Sequence, residues 1–235
     1  PINNLCLSGG VAANIIMSLN IYERTNFKNI YVLPPMADDG LAIGSAILTA
    51  IEYDQDLSWL KNYSMPYFGD FYSRDEVKSA LDIFPDIYYE DLGDDWPKHA
   101  AKSVSEGKIC ALFHGKMEFG PRALGNRSII GNPMIEHTRE IINSKVKKRP
   151  SYQPFCPSIL EEERERLFND SFSHKHMAIA FRMKKKYIKD LPCAVHIDGT
   201  SRPQFVTKDD NKNYFEYLKE LKKITGYGVS LNTSF

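Results

Sequence analysis

Two arginines five residues apart, Arg122 and Arg127, sit within the segment MEFGPRALGNRSI, residues 117–129. Guanidinium groups are planar forks that match phosphate or carboxylate oxygens two bonds at a time. Around them stand Gly120-Pro121 and Gly125-Asn126, with Lys116 and His114 just upstream. Glycine lets a ligand reach backbone N–H groups that a side chain would shield. Each charge-assisted bond of this kind contributes about 1.5–3 kcal/mol. The spacing predicts an anion cradle built from Arg122, Arg127, Lys116, Gly120 and Asn126. The competing reading is a surface loop whose arginines face water.

Other candidates lie on both sides. Lys147-Lys148-Arg149 closes a helical stretch, where cations meet the helix dipole with or without a ligand. HIDGTSRPQ sets His196, Asp198 and Arg202 around a glycine turn, and SLNTS presents Ser230 and Asn232 on one face wherever the chain is extended. Gly9-Gly10 separates an apolar run from a helix, whose first N–H groups favour anions. Asp38-Asp39 opens another helix; two carboxylates there either ligate a metal or cap the helix and meet its dipole.

The elements that must position these residues follow from pattern. Residues 1–60 alternate strand, helix, strand, helix, which implies parallel pairing and an α/β layer structure. Residues 61–75 mix Pro, Gly and aromatics without a period and mark the best domain boundary. Ser73 with Glu76 predicts a capping box for the helix RDEVKSALDIF. A helix over WPKHAAKSVSEG, a strand over 108–113 and a helix over EHTREIINSKV come next. MAIAFRM and CAVHID read as further strands. NKNYFEYLKELKKITG reads as an amphipathic helix with Tyr214, Leu218, Leu221 and Ile224 on one stripe and Gly226 as its stop. YGVSLNTS is a closing strand, so residues from about 70 onward form a mixed α/β domain.

Composition narrows the function classes. Thirty basic side chains balance thirty acidic ones, which excludes bulk electrostatic binding to nucleic acid or an anionic membrane. No apolar run approaches the roughly 20 residues of a membrane span. Cys6, Cys110, Cys156 and Cys193 are scattered, with no CxxC and no zinc spacing, and read as reduced packing residues of a cytoplasmic protein. The chain opens just before an apolar strand and stops inside a polar turn, the pattern of a segment cut from a longer protein.

Taken in order, MEFGPRALGNRSI, RPSYQPFCPSIL, HIDGTSRPQ and SLNTSF closely resemble the O-carbamoyltransferases of nodulation and antibiotic tailoring. LSGGVAAN followed by PPMADDGLAIGSA is similar to the end of that family's first domain. The resemblance implies residues 1–64 as the C-terminal part of a Kae1-like domain of the actin/Hsp70 type. It implies residues 65–235 as a YrdC/Sua5-like open twisted α/β sheet over a basic cavity. It further implies that ATP and carbamoyl phosphate form carbamoyl-adenylate in the second domain, after which the carbamoyl group passes to a hydroxyl of a small-molecule acceptor. Neither nucleic acid nor membrane enters that scheme.

Carried onto this chain, the resemblance gives Arg122 and Arg127 to phosphate or carbamoyl oxygens, and Lys147, Lys148 and Arg149 to the nucleotide site. Ser230 and Asn232 match a Ser-x-Asn element, while His196, Asp198 and Arg202 belong in the cavity. Gly9, Gly10 and Asn14 match the adenosine-side loop, and Asp38 a metal-ligand position. The chain has no HxxxH pair, so Fe2+ is expected only in a full-length enzyme. Two rivals remain: a threonylcarbamoyl-adenylate synthase-like protein of tRNA modification, and a non-catalytic actin-like interaction module.

Overall fold

A computed structural model describes residues 2–235. The opening alternation folds as its pattern predicts. Strands β1 (Asn4–Leu7) and β2 (Asn29–Val32) pair in parallel with Leu5 opposite Ile30. Helix α1 (Ile15–Arg24) lies between them in sequence, and the Asn14 side chain accepts from the N–H groups of Ile16 and Met17 at 3.1 and 3.0 Å. That side chain satisfies donors that no helical carbonyl can reach. Helix α2 (Gly40–Glu52) carries no buried residue, and its Leu41 and Leu48 are each 68% exposed.

Helix α3 (Arg74–Asp82) begins with the predicted capping box between Ser73 and Glu76. Helix α4 (Trp96–Ser105) leads into β3 (Cys110–Phe113), which turns back as β4 (Arg127–Gly131). Helix α5 (Thr138–Ile141) widens into a π turn over Ile142–Val146 before β5 (Cys156–Leu160). Short pieces follow: α6 (Arg164–Leu167), β6 (Phe181–Arg182), α7 (Lys185–Ile188), β7 (Thr200–Ser201) and β8 (Gln204–Val206). Helix α8 (Lys212–Thr225) ends at left-handed Gly226, and β9 (Val229–Ser234) completes the sheet.

The main sheet runs β3-β4-β9-β5-β8, antiparallel throughout except for the parallel β5–β8 pair. Helices α4 and α8 pack together over one face, where Leu112, Ile130, Leu160 and Val206 meet Ala101, Val104, Tyr217 and Leu221. The other face carries Ile129, Ile159, Phe205, Val229 and Leu231. Ala12, Ile30, Val32 and Met36 from the first block join that second core, so residues 1–60 share buried surface with the rest. Arg182 with Glu23, and Tyr22 with Asp170, tie the two parts at the surface.

The segment 61–75 is strapped to the arginine loop: the Phe119 N–H donates to the Pro66 carbonyl at 2.7 Å and the Gly69 N–H to that of Met117 at 3.0 Å. Two expectations change. CAVHID forms a helical turn at Pro192–Ala194 instead of a strand, because Pro192 lacks an N–H and the Cys193 N–H goes to the Pro133 carbonyl. On α8 the buried stripe is Tyr214, Tyr217, Leu218 and Leu221, while Ile224 is exposed. All four cysteines are free thiols. Among the described residues no helix is long and apolar enough to cross a membrane.

Candidate functional site

Between β3 and β4 the chain makes the glycine-rich loop predicted to cradle an anion. Its backbone donors do converge on a carboxylate, but the carboxylate is the loop's own. Glu118 accepts the N–H groups of Leu124 at 2.7 Å, Asn126 at 2.8 Å and Arg127 at 3.1 Å. Arg127 donates to the carbonyls of His114 at 2.7 Å, Asn126 at 3.1 Å, and Gly115 and Asp70 at 3.3 Å. Its guanidinium carbon also sits 3.8 Å from the centre of the Phe113 ring. Asn126 donates to the Lys116 carbonyl and accepts from Asn211, each at 2.7 Å. Lys116, Asn126 and Arg127 thus secure the loop's shape.

The glycines there answer to packing. Gly120 has φ +118° and lies against the Pro34 backbone, where a Cβ would come within 3.1 Å. Gly125 has φ +112°, and a Cβ would stand 2.5 Å from the Tyr214 ring. Both facts exclude an L side chain. Sequence reasoning passed over Glu118, whose signal was an acid standing among cations and glycines.

Arg122 turns elsewhere, toward a second basic group. The Arg202 Nε donates to the Cys156 Sγ at 2.7 Å. Arg122 is half-buried, and burial, then the neighbouring Arg202 charge, push its guanidinium below its ordinary pKa. Its Nε is buried without a partner. Arg149 is likewise lowered by burial, with Cys156 acting in the opposite sense. Three guanidiniums therefore gather around the Cys156 end of β5. Among the described residues none of the three pairs with a carboxylate.

The π turn aims part of this cluster. The Lys147 N–H bonds the Ile142 carbonyl five residues back at 2.8 Å, and such widened turns recur at functional sites. Asn143, fully buried, donates to the carbonyls of Ser151 at 3.1 Å and Gln153 at 2.9 Å and accepts from the Arg149 Nε at 2.6 Å. Lys147 reaches the Ser234 carbonyl, and burial followed by the Arg149 charge lowers its pKa. Lys148 is exposed with φ 49°. Lys147 and Arg149 turn inward; Lys148 does not.

Strand β9 supplies the floor. The Ser230 hydroxyl hydrogen-bonds the Tyr217 hydroxyl at 2.9 Å inside the core. Asn232 lies opposite Cys156 in the β5–β9 register, and its Nδ2 donates to the Ala123 carbonyl at 3.0 Å and the Ser158 hydroxyl at 3.1 Å. Its Oδ1 is buried and has no partner. In the HIDGT turn, Asp198 accepts the Thr200 N–H at 3.0 Å and its hydroxyl at 2.7 Å. The Thr200 hydroxyl proton being so placed, His196 Nδ1 is the donor in its 3.1 Å contact with that oxygen. His196 is held below its usual range by burial first and then by Arg202.

The first-block candidates gather in another place. The Gly9 N–H donates to the Met36 carbonyl at 2.7 Å, Gly10 begins a short turn, and Asn14 caps α1. Asp38 and Gly9 line a cleft of about 430 Å³ with Met36 and Gly40, into which none of Arg122, Arg149 and Arg202 projects. Among the described residues no group of three or more His, Cys, Asp or Glu side chains is placed to hold a metal. Asp38 alone does not make an iron site, which needs several convergent ligands.

Comparison with known proteins adds the family. A model of the carbamoyltransferase C-terminus matches residues 101–235, and one of the carbamoyltransferase N-terminus matches residues 1–47. An uncharacterized protein of Methanocaldococcus jannaschii is 58% identical over all of this chain and 39% of its own length. Nodulation protein NolNO of Sinorhizobium fredii is 33% identical over all of this chain and 35% of its own. The 3'-hydroxymethylcephem-O-carbamoyltransferase of Streptomyces clavuligerus is 31% identical over 98% of this chain and 42% of its own. The chain thus spans less than half the length of these relatives. Its two matched regions and these relatives agree: the chain belongs to the O-carbamoyltransferase family.

Proposed function

We propose that this chain contributes the carbamoyl-activating part of a carbamoyltransferase. Water takes the phosphoryl group of carbamoyl phosphate, which leaves as inorganic phosphate and frees carbamate. A carbamate oxygen then bonds to the α-phosphorus of ATP as the bond from that phosphorus to the β-phosphate bridge breaks, giving carbamoyl-adenylate and pyrophosphate. The acceptor's hydroxyl oxygen then bonds to the carbamoyl carbon, the bond from that carbon to the adenylate oxygen breaks, and AMP leaves. Residues 65–235 act as a YrdC-like activating unit, and residues 1–64 as the C-terminal part of a Kae1-like unit. The printed name of the cephem relative supports an oxygen acceptor. The even balance of thirty basic and thirty acidic residues supports a small-molecule partner over nucleic acid or membrane.

One observation carries the reading: Arg122, Arg149 and Arg202 converge around Cys156 without a countering carboxylate. Holding like charges together is unfavourable unless something anionic joins them. Both substrates bring phosphate oxygens, and fixed cations aimed at developing charge are the largest common source of catalysis. Arg149 and Lys147 are held by Asn143 and β9, so little reorganisation is required when the anion arrives. Among the described residues Asp38 belongs to no group of three or more donors that could hold a metal, so no step is routed through iron in this part of the enzyme.

The test is carbamoyl-phosphate-dependent ATP–pyrophosphate exchange. Arg202→Ala and Arg149→Ala are each expected to slow it by about 100- to 1,000-fold. Variants that keep the wild-type urea midpoint and the wild-type exchange rate would overturn the assignment.

A further inference from the structure

We infer that a hollow between the first block and the segment strapping the arginine loop binds a small uncharged phenol, whose hydroxyl donates to Nδ1 of His176. This site is separate from the arginine cluster and goes beyond the function proposed above. The hollow measures about 160 Å³. Tyr31, with Ile43 and Ile47 of α2, lines it from the first block, and Tyr63, Pro66 and Phe68 line it from the strap. Ile43 and Ile47 stand four residues apart, on one face of the helix. Among the described residues no Asp, Glu, Lys or Arg lines the hollow, so a charged occupant would lose its water without gaining a counter-charge. An apolar cavity of about 150 Å³ is large enough to take a benzene ring.

One polar atom sets the chemistry of the occupant. His176 walls the hollow and is 6% exposed. Its Nε2 lies 2.8 Å from the Ser64 carbonyl. A carbonyl oxygen only accepts, so Nε2 carries the proton and Nδ1 of the neutral ring is an acceptor. Burial, the largest influence, holds the ring below its usual pKa and keeps it neutral. Nδ1 is buried and has no partner, an arrangement that native cores rarely leave unmet. The Ser64 hydroxyl, the nearest donor in sequence on that wall, is spent on Asp210 at 3.0 Å. The Tyr31 ring meets His176 edge to face, with centroids 5.8 Å apart. The group that completes the hollow is therefore apolar, ring-sized and uncharged, and carries one donor. A phenol has all of these. Toluene has the same shape without the donor, and benzoate brings a charge that nothing there meets.

The test is titration of the chain with phenol and with toluene, read by calorimetry and by the NMR resonance of the His176 Nδ1. Phenol is expected to bind about 3- to 10-fold more tightly than toluene, the factor that one net hydrogen bond supplies. The Nδ1 resonance should move with phenol and stay in place with toluene. His176→Phe keeps a ring in the wall and removes the acceptor; it should bring phenol to the toluene level and leave toluene within about threefold. The wild-type comparison and the Nδ1 resonance decide the matter even if that variant fails to fold. Equal wild-type affinity for the two, binding of neither at millimolar concentration, or an Nδ1 resonance that stays still with phenol bound would overturn the inference. None of these results bears on carbamoyl-phosphate-dependent exchange, so the two readings fail separately.

Discussion

Replacing Glu118 tests whether the arginine loop is built around its own negative charge. The carboxylate accepts three backbone N–H groups, and two of their residues, Leu124 and Asn126, are only 1% and 4% exposed. Each buried donor left without an acceptor costs about 1–3 kcal/mol. Glu118 itself is only half-buried, so water relieves part of this, and Glu118→Ala is expected to lose about 3–5 kcal/mol. Glu118→Gln keeps one oxygen for Leu124 and Asn126 and turns an NH2 toward the Arg127 N–H, so its expected cost is smaller, about 1–2 kcal/mol. Urea denaturation reads both. With a slope of about 2 kcal/mol/M, the alanine variant's midpoint falls by about 2 M and the glutamine variant's by about 0.5–1 M. If the alanine variant unfolds at the wild-type urea concentration, the carboxylate does not organise the loop and the reasoning fails.

Two further outcomes follow from buried polar groups. Asn143→Ala removes the side chain that fixes Ser151, Gln153 and Arg149; it should cost about 2–4 kcal/mol by urea midpoint and weaken carbamoyl phosphate binding, because Arg149 loses its brace. His174 is buried with Nε2 accepting the Ala178 N–H at 3.1 Å, and burial first, then the nearby His176, lower its pKa to about 3. Unfolded, the same ring protonates near 6.5, so the unfolded chain binds the extra proton between those values. Stability is therefore whole above about pH 6.5 and declines as pH falls toward 3, by about 1.4 kcal/mol per unit inside that window. Urea midpoints at several pH values should show the slope, and His174→Gln should flatten it.

What was legible in the sequence is what depends on near neighbours. The Ser73–Glu76 capping box, the Gly226 stop and the opening strand–helix alternation each need only a few residues to define them, and all are present. Lys147, Arg149, Arg122 and Arg202 were recognisable by type, but their meeting point was not. It arises because β5 lies between β8 and β9, bringing together residues dozens of positions apart. Cys156 read as packing because a thiol gives no hint of the guanidiniums folded around it. CAVHID looked like a strand on apolar content, yet Pro192 and a bond from Cys193 to Pro133 closed it into a turn.

The position of β9 has a consequence for how the protein is made. Within the sheet the β3–β4 hairpin and the β5–β8 pair are bridged by this strand, and Ser128 finds its partner in Ser234. Such distant pairing raises contact order and slows folding. On the ribosome, a nascent chain whose residues 229–234 are still in the exit tunnel holds two unjoined ribbons with exposed edges, a form open to mispairing and to chaperones. The Cys156–Asn232 register, and with it the gathered arginines, comes into being only as that strand slides into the gap.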